Sequence, residues 1–310
     1  MDLSIIIVNW NVVGLLQRCL ESVYRSLAQS PHLSSEVIVV DNASADDSVA
    51  MVQRGFPQVT LMANNQNLGF TVANNQGMRL SQGRYILLLN PDTEVMGQAL
   101  AHLVAYMEAN PRIGAVGPQL RNSDGSVQSS RRRFPTLHTA LVESTLLQHY
   151  FPHGPLLRSY YILDRPDDQT QEVDWVVGAA IMVRREVLDQ VGLLDERFFM
   201  YSEELDWCYR IKQAGWQVAY LPTAQVVHHY GQSSTQDLPH RHIHFQTSKL
   251  RFFRKHHGFW AYAALRWFIL ATYLFQMAEE GLKLVLGHKP TLRRDRLGTY
   301  WQVLRSGLRT

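Results

Sequence analysis

The 310-residue sequence holds only two cysteines, Cys19 and Cys208, each inside a helix-like pattern and far from the other. They supply neither a disulfide framework nor a metal-ligand spacing, and a reducing cytoplasm is the expected home. The amino terminus lacks a basic stretch, an apolar core and a small-residue cleavage site. Met1-Asp2 runs straight into a strand, so no export signal is expected. No apolar run reaches the roughly 20 residues of a spanning helix. Neither Gly-x-Gly-x-x-Gly after the first strand nor Gly-x-x-x-x-Gly-Lys-Ser/Thr anywhere is present, which removes the main support for dinucleotide and P-loop readings. Internal repeats and low-complexity tracts are missing too. Acids are scarce near the end: from Lys249 onward, twelve Lys and Arg residues face only Glu279, Glu280 and Asp295.

What is present is a hydrophobic content of 46%, enough to bury a real core, and a modest net charge of +3 concentrated in that tail. Apolar residues lie between the tail's charges, which favours an anionic lipid surface over nucleic acid as its partner.

The first half alternates strand and helix patterns. Residues 3–9 form a β-branched run suited to a buried parallel strand, and Leu15, Leu16, Cys19, Leu20 and Val23 recur at helical spacing. Glu36–Asp41 is a second buried strand ending in a carboxylate. A helix from about Asp46, a strand at Val59–Met62, a helix over Thr71–Ser81 and a strand at Tyr85–Leu89 continue the alternation. The pattern predicts an α/β, doubly wound, mostly parallel sheet. Residues 121–170 read as a long excursion of weak periodicity, in part mobile. Beyond it the pattern predicts a strand over Asp174–Val183 interrupted at Gly178, a short helix over Arg185–Val191 and a helix over Glu203–Ala214.

Ligands of such sheets bind beyond the carboxyl ends of the strands. Here those ends carry Asn9-Trp10-Asn11, Asp41-Asn42, Asn64–Phe70 and Asn90-Pro91-Asp92. Each alone is ordinary turn chemistry; four on one edge point to a site. Asp41 can accept hydrogen bonds from a base or ribose, and Trp10 offers an apolar face. Asp92 emerges where a diphosphate would lie, and a hard cation bridging the two would neutralise charge on a leaving group. Glu203, Glu204 and Asp206 put three acids at a helix start. They complement the helix dipole, and by raising one another's pKa they also suit a general base. Arg131-Arg132-Arg133 is either a solvated basic turn or a loop that meets an acceptor phosphate.

Taken in order, Ser4–Asn11, Val40–Ser48, Asn67–Phe70 with Ala73–Asn75, Asn90–Thr93, Gly192–Phe199, Glu203–Asp206 and His228-His-Tyr-Gly-Gln-Ser233 resemble a family 2 glycosyltransferase. The likeness is to the bacterial rhamnosyltransferase-like branch, over about residues 2–235. It implies a GT-A (Rossmann-like) sheet flanked by helices, with a catalytic domain over 1–240 and a basic amphipathic helical extension over 241–310. Residues 1–120 would bind the nucleotide-sugar and 121–240 the acceptor. The implied donor residues are Val8, Asn9, Trp10, Asp41, Asn67, Gly69, Phe70, Asn74, Asn90 and Asp92. Asp92 and His228 are the implied ligands of Mg2+ or Mn2+, with Asn90 standing where the family has an Asp. The base position falls on Glu204, where Asp is usual; the extra methylene leaves Glu203 and Asp206 as alternatives. Gly178, with Ala179, Trp175 and Arg132, is implied in acceptor binding.

The resemblance implies inverting, metal-dependent transfer of a sugar to a glycan or polyprenyl-linked acceptor for the cell envelope. Its branch points to dTDP-rhamnose as donor, and the expected place is peripheral, on the inner face of the cell membrane. Two rivals stand. A nucleotidyltransferase would need a basic Gly-rich phosphate loop that Asn9–Leu15 does not supply. A catalytically degenerate sugar-nucleotide-binding or scaffold protein would have no need for acids at every expected place. In the tail, Trp267–Ala278 is apolar for about three helical turns, which fits an interfacial membrane helix or, alternatively, a packed helix that makes a homodimer.

Overall fold

The protein is described by a computed structural model covering residues 1–152, 154–229 and 238–310. The Tyr230–Ser233 part of the histidine motif lies outside the described residues. β1 (Leu3–Asn9) is buried at all seven positions and lies between two parallel neighbours, β2 (Ser35–Asp41) and β4 (Tyr85–Leu89), with β3 (Thr60–Ala63) beyond β2. This gives the continuous β-branched run its reason: a strand covered on both faces has no polar side. Leu3, Ile5 and Ile7 point to one face, where they pack with Leu16, Cys19 and Leu20 of α1 (Val13–Ala28), Val52 of α2 (Ser48–Gly55) and further apolar residues. Val8 points to the other, with Ile38, Val40 and Ala73 of α3 (Phe70–Leu80). The period of two along the strand thus builds both layers. Burying each such side chain contributes roughly 1.5–3 kcal/mol.

After β5 (Thr93–Val95) and α4 (Ala99–Ala109) come β6 (Ile113–Arg121), β7 (Val127–Gln128) and β8 (Arg131–Arg132). Three short helices follow, α5 (Leu137–Val142), α6 (Leu146–Tyr150) and α7 (Pro155–Tyr160), then β9 (Gln171–Val173), β10 (Trp175–Val176), β11 (Ala180–Arg184), α8 (Arg185–Val191), α9 (Glu203–Gln213) and β12 (Gln217–His228). Among the described residues ten strands form one sheet whose main path runs β3-β2-β1-β4-β11-β6-β12-β5, and β8 and β10 form a separate pair. β11 runs antiparallel to both neighbours, and β5 antiparallel to β12.

The 121–170 excursion folds into short elements that bury Ala140, Leu157, Tyr160 and Ile162. The single strand expected over Asp174–Val183 is two strands in different sheets, because the chain turns at Gly178-Ala179. The periodicity passed over β6 and β12, which pair along most of their length; Gly114, Gly117 and Pro118 interrupt one, and Pro222 falls where a register shift bends the other.

The chain divides into two compact units. One holds Met1–Phe134, Asp164–Phe199 and the described residues from Glu203 to 229; the other holds Pro135–Leu163, Met200–Ser202 and the remaining described residues. In the second, Lys249 of α10 (Leu238–His256) meets Glu143 at 2.9 Å. α11 (Gly258–Val285) is joined to α12 (Pro290–Ser306) through Glu280, a buried carboxylate that receives Arg293 at 2.6 Å and Arg296 at 3.1 Å. The apolar stretch expected to last three turns lies within a helix of 28 residues, and no described helix is long and apolar enough to cross a membrane.

Candidate active site

Register brings the first group together. Asn9 and Asp41 are partners at the ends of β1 and β2, and Ala63 ends β3 on the same line. Asp41 is 2% exposed, and its Oδ1 accepts from Asn9 Nδ2 at 2.9 Å and Ser44 Oγ at 2.6 Å. Oδ2 accepts from the Ser44 N–H at 2.9 Å, which leaves one lone pair for another donor. Trp10 is half-buried beside them and Val8 is buried in the layer below. Asn67 accepts from Asn42 Nδ2 at 2.8 Å and from the Gly69 N–H at 2.9 Å, and so shapes its own loop. Asn74 is buried and donates to the Phe70 carbonyl within α3. Gly69 has φ +87°, and a Cβ there would lie 2.6 Å from the Phe199 ring; the Phe70 N–H donates to the Phe199 carbonyl. Sequence reasoning placed Asn42 and Ser44 in the Val40–Ser48 motif but missed them as loop organisers, because their partners lie across the loops.

The second group forms where antiparallel β5 pairs with the end of β12, setting Thr93 opposite His228. His228 Nε2 then lies 3.4 Å from Asp92 Oδ1, both side chains nearly buried. Its other nitrogen, Nδ1, meets Gln128 Oε1 at 2.7 Å. With Nδ1 donating to that carbonyl, Nε2 turns a lone pair toward the Asp92 carboxylate, and a cation fits such a pairing. Asn90 Oδ1 is buried without a hydrogen-bond partner among the described residues, as an oxygen kept for a ligand would be. A carboxylate, an imidazole and a neutral oxygen suit a divalent cation only if donor phosphates complete its shell. No cluster of three or more His, Cys, Asp or Glu able to hold a metal occurs among the described residues. Cys19 lies beneath, 3.6 Å from the Asn90 carbonyl, its thiol pushed up to about 12 by burial. His229 turns aside to Glu94 at 2.8 Å and Ser123 at 2.8 Å.

The third group gathers around Glu204. The chain enters α9 through Tyr201 and Ser202, two non-glycine residues with φ +68° and +62°, a backbone strain of about 1–3 kcal/mol each. β11 starts where β4 ends, and the Asn90 N–H donates to the Ala179 carbonyl at 2.9 Å, so the turn before it reaches the strand-end edge. The Gly178 N–H donates to Glu204 Oε1 at 3.3 Å, and an added Cβ at Gly178 would stand 3.3 Å from Glu204 Cγ. Burial raises the Glu204 carboxyl above the ordinary range, while the N–H groups of the helix start and of Gly178 and the Arg132 guanidinium pull it partly back. Glu203 is held well above that range by deeper burial and by the Glu204 charge. The two carboxyls titrate as a pair, both raised by burial. Asp206, 0% exposed, is bound at 2.8 Å to Arg210, which also donates to the Val191 and Leu193 carbonyls.

The arginine triplet is split three ways. Arg131 is buried against the Arg165 and Pro166 carbonyls, and Arg133 forms a fork with Asp164. Arg132 lies over the Trp175 ring, 6.0 Å from its centroid, held there by the β8–β10 ladder that sets the two residues opposite each other.

A family model described as glycosyl transferase family 2 matches residues 4–192. The chain belongs to glycosyl transferase family 2. It is 32% identical over 261 residues to an N-acetylglucosaminyl-diphospho-decaprenol L-rhamnosyltransferase of Mycobacterium tuberculosis, covering 80% of this chain and 84% of that one. To the rhamnosyltransferase WbbL of Escherichia coli it is 29% identical over 146 residues, 47% of this chain and 52% of the other. Among solved structures, mannosyltransferase PcManGT from Pyrobaculum calidifontis, in complex with GDP-Man and Mn2+, matches with a TM-score of 0.54 at 16% identity, over 99% of this chain and 84% of that chain. That likeness speaks to the fold, and the fold of this glycosyltransferase is GT-A.

Proposed function

We propose that this glycosyltransferase moves a hexosyl group, with inversion, from a nucleoside-diphosphate sugar to a hydroxyl of a glycan or lipid-linked acceptor in cell-surface polysaccharide synthesis. Residues 1–120 form the donor half of the catalytic domain, 121–240 the acceptor half, and 241–310 a helical extension. Asp41 and Trp10 receive the base and ribose. Glu204 takes the proton of the acceptor hydroxyl, whose oxygen bonds to the anomeric carbon as the bond to the nucleoside diphosphate breaks. Arg132, Trp175, Gly178 and Ala179 position the acceptor, with the guanidinium suited to a phosphate. Asp92 and His228, with Asn90, would hold Mg2+ or Mn2+, which when bound supplies charge neutralisation for the departing diphosphate. The names of the relatives favour dTDP-rhamnose and a polyprenyl-diphosphate acceptor. Such an acceptor would bring the enzyme to the cytoplasmic face of the membrane, where exposed bases such as Arg294, Arg305 and Arg309 would meet anionic lipid.

The observation that carries the choice of base is the Gly178–Glu204 contact: Glu204 is the acid that accepts from the N–H of the turn before β11, whereas Asp206 is bound to Arg210. Nucleoside-diphosphate release from a panel of nucleotide sugars, supplied with a membrane extract as acceptor, tests the reading. Glu204→Gln is expected to lower turnover by about 10²–10⁴-fold while donor binding persists. Donor binding without turnover in the unsubstituted chain would favour the degenerate binding protein, and no binding to any donor would sink both readings.

A further inference from the structure

In α11 the solvent-facing side is the apolar one. All of its 28 residues are described, and every exposed one is glycine, alanine or a larger apolar residue. Trp260 is 83% exposed, Trp267 66%, Leu274 61% and Val285 84%. Its charged residues, Arg266, Glu279, Glu280 and Lys283, lie off that face and are engaged nearby: Arg266 with the Gly307 carbonyl, Lys283 with Glu279, and Glu280 with Arg293. A helix whose outer face meets water has the reverse pattern, so this face has an occupant.

The sequence of the stripe says what fits it. Eight residues along its middle recur at alternating spacings of four and three, the seam of a coiled coil, over about 38 Å of helix, with the exposed Phe275 and Leu282 flanking them. One row is Trp260, Trp267, Leu274 and Gly281; the other is Ala264, Ala271, Ala278 and Val285. Large side chains thus fill most of one row and small ones most of the other. A lipid surface has no register and gives no reason for this division.

We infer that the outer face of α11 is a homodimer seam in which two copies of this chain pair their α11 helices antiparallel about a twofold axis. Antiparallel pairing sets the small row of one copy against the large row of the other. Ala271 meets Leu274 of the second copy, Ala278 meets Trp267, and Val285 meets Trp260. Parallel pairing would set Trp on Trp and Ala on Ala, a collision next to a void. The contact is isologous, and its two exposed tryptophans bring about 150–250 Å² each toward the roughly 800 Å² per partner of a standard interface. It stands apart from the transfer chemistry.

Light scattering of the full chain at micromolar concentration is expected to give twice the chain mass of 35.6 kDa. Ala271→Glu and Leu274→Lys, each alone, bury an unpaired charge in the seam and are expected to leave monomers. The double variant sets each Glu against a Lys of the other copy and is expected to restore the dimer. Both positions are exposed in the single chain, so far-UV circular dichroism should be unchanged in all three variants. A monomeric unsubstituted chain, a dimer indifferent to both single changes, or a double variant that stays monomeric would overturn the seam. So would a monomer that floats with phosphatidylglycerol vesicles and loses them on Leu274→Lys, which would assign the face to lipid.

Discussion

An added Cβ at Gly178 would stand 3.3–3.4 Å from three side-chain carbons of Glu204, so the proposed base has to give by a few tenths of an ångström. Gly178→Ala is expected to lower kcat about tenfold, with donor affinity unchanged, because reaction rates fall steeply with misplacement of a reacting group. Stopped-flow turnover beside donor titration checks this. The acid pair adds a pH signature. As the proposed base Glu204 would act ionised, and burial raises its pKa, so the rate should climb with pH along a limb above the ordinary Glu value of about 4.3. Glu203, raised by burial and by the Glu204 charge, contributes stability that is fully present below its unfolded pKa and lost as pH rises through its folded one. Thermal melts should therefore show Glu203→Gln losing less stability than the unsubstituted chain as pH rises above the ordinary Glu value of about 4.3; equal losses would mean that Glu203 is not the raised group. Of these residues Glu204 and Gly178 were legible as types at a motif, whereas their contact was not. The choice against Asp206 came from Arg210, four residues along the same helix.

Among the elements, β1, β2 and β4 were legible because a buried parallel strand writes its burial as an unbroken apolar run. β6 and β12 were not, since glycine and proline break their pattern and long-range pairing holds them instead. That omission matters for the site: β12 carries His228, β5 pairs it against Thr93, and the two-residue β7 supplies Gln128. A two-residue strand leaves no periodic trace. Gln128→Leu removes the hydrogen-bond partner of His228 Nδ1 and is expected to weaken Mn2+ affinity by about 10–100-fold, with little change in melting temperature. Calorimetric titration of Mn2+ into the protein with nucleoside diphosphate measures it. An unchanged affinity would take His228 out of the metal site. The split arginine triplet is a further case: Arg131 and Arg132 part because neighbouring β8 residues face opposite sides, and Arg133, beyond the strand, turns to Asp164.

For the whole molecule, the metal expectation is that EDTA abolishes nucleoside-diphosphate release and that added Mn2+ restores it, since several kcal/mol of leaving-group stabilisation go with the ion. Turnover undiminished in EDTA would mean that Asp92 and His228 serve binding without a cation. The sequence by itself determined the order of strands and helices over the first 90 residues, the polar residues at the strand ends and the motifs that mark the family. These depend on residues close together in the chain, where periodicity and turn chemistry act. Only the tertiary structure decided that β11 runs antiparallel, so that Gly178 arrives beside Glu204, and that Asp92 meets His228 across a pairing 135 residues long in sequence separation at its His229–Glu94 neighbour. It also decided which side of α11 faces outward. An apolar stripe reads the same in a sequence whether it is buried or exposed, and packing of the opposite face, through Leu265, Ile269 and Tyr273, sets the difference.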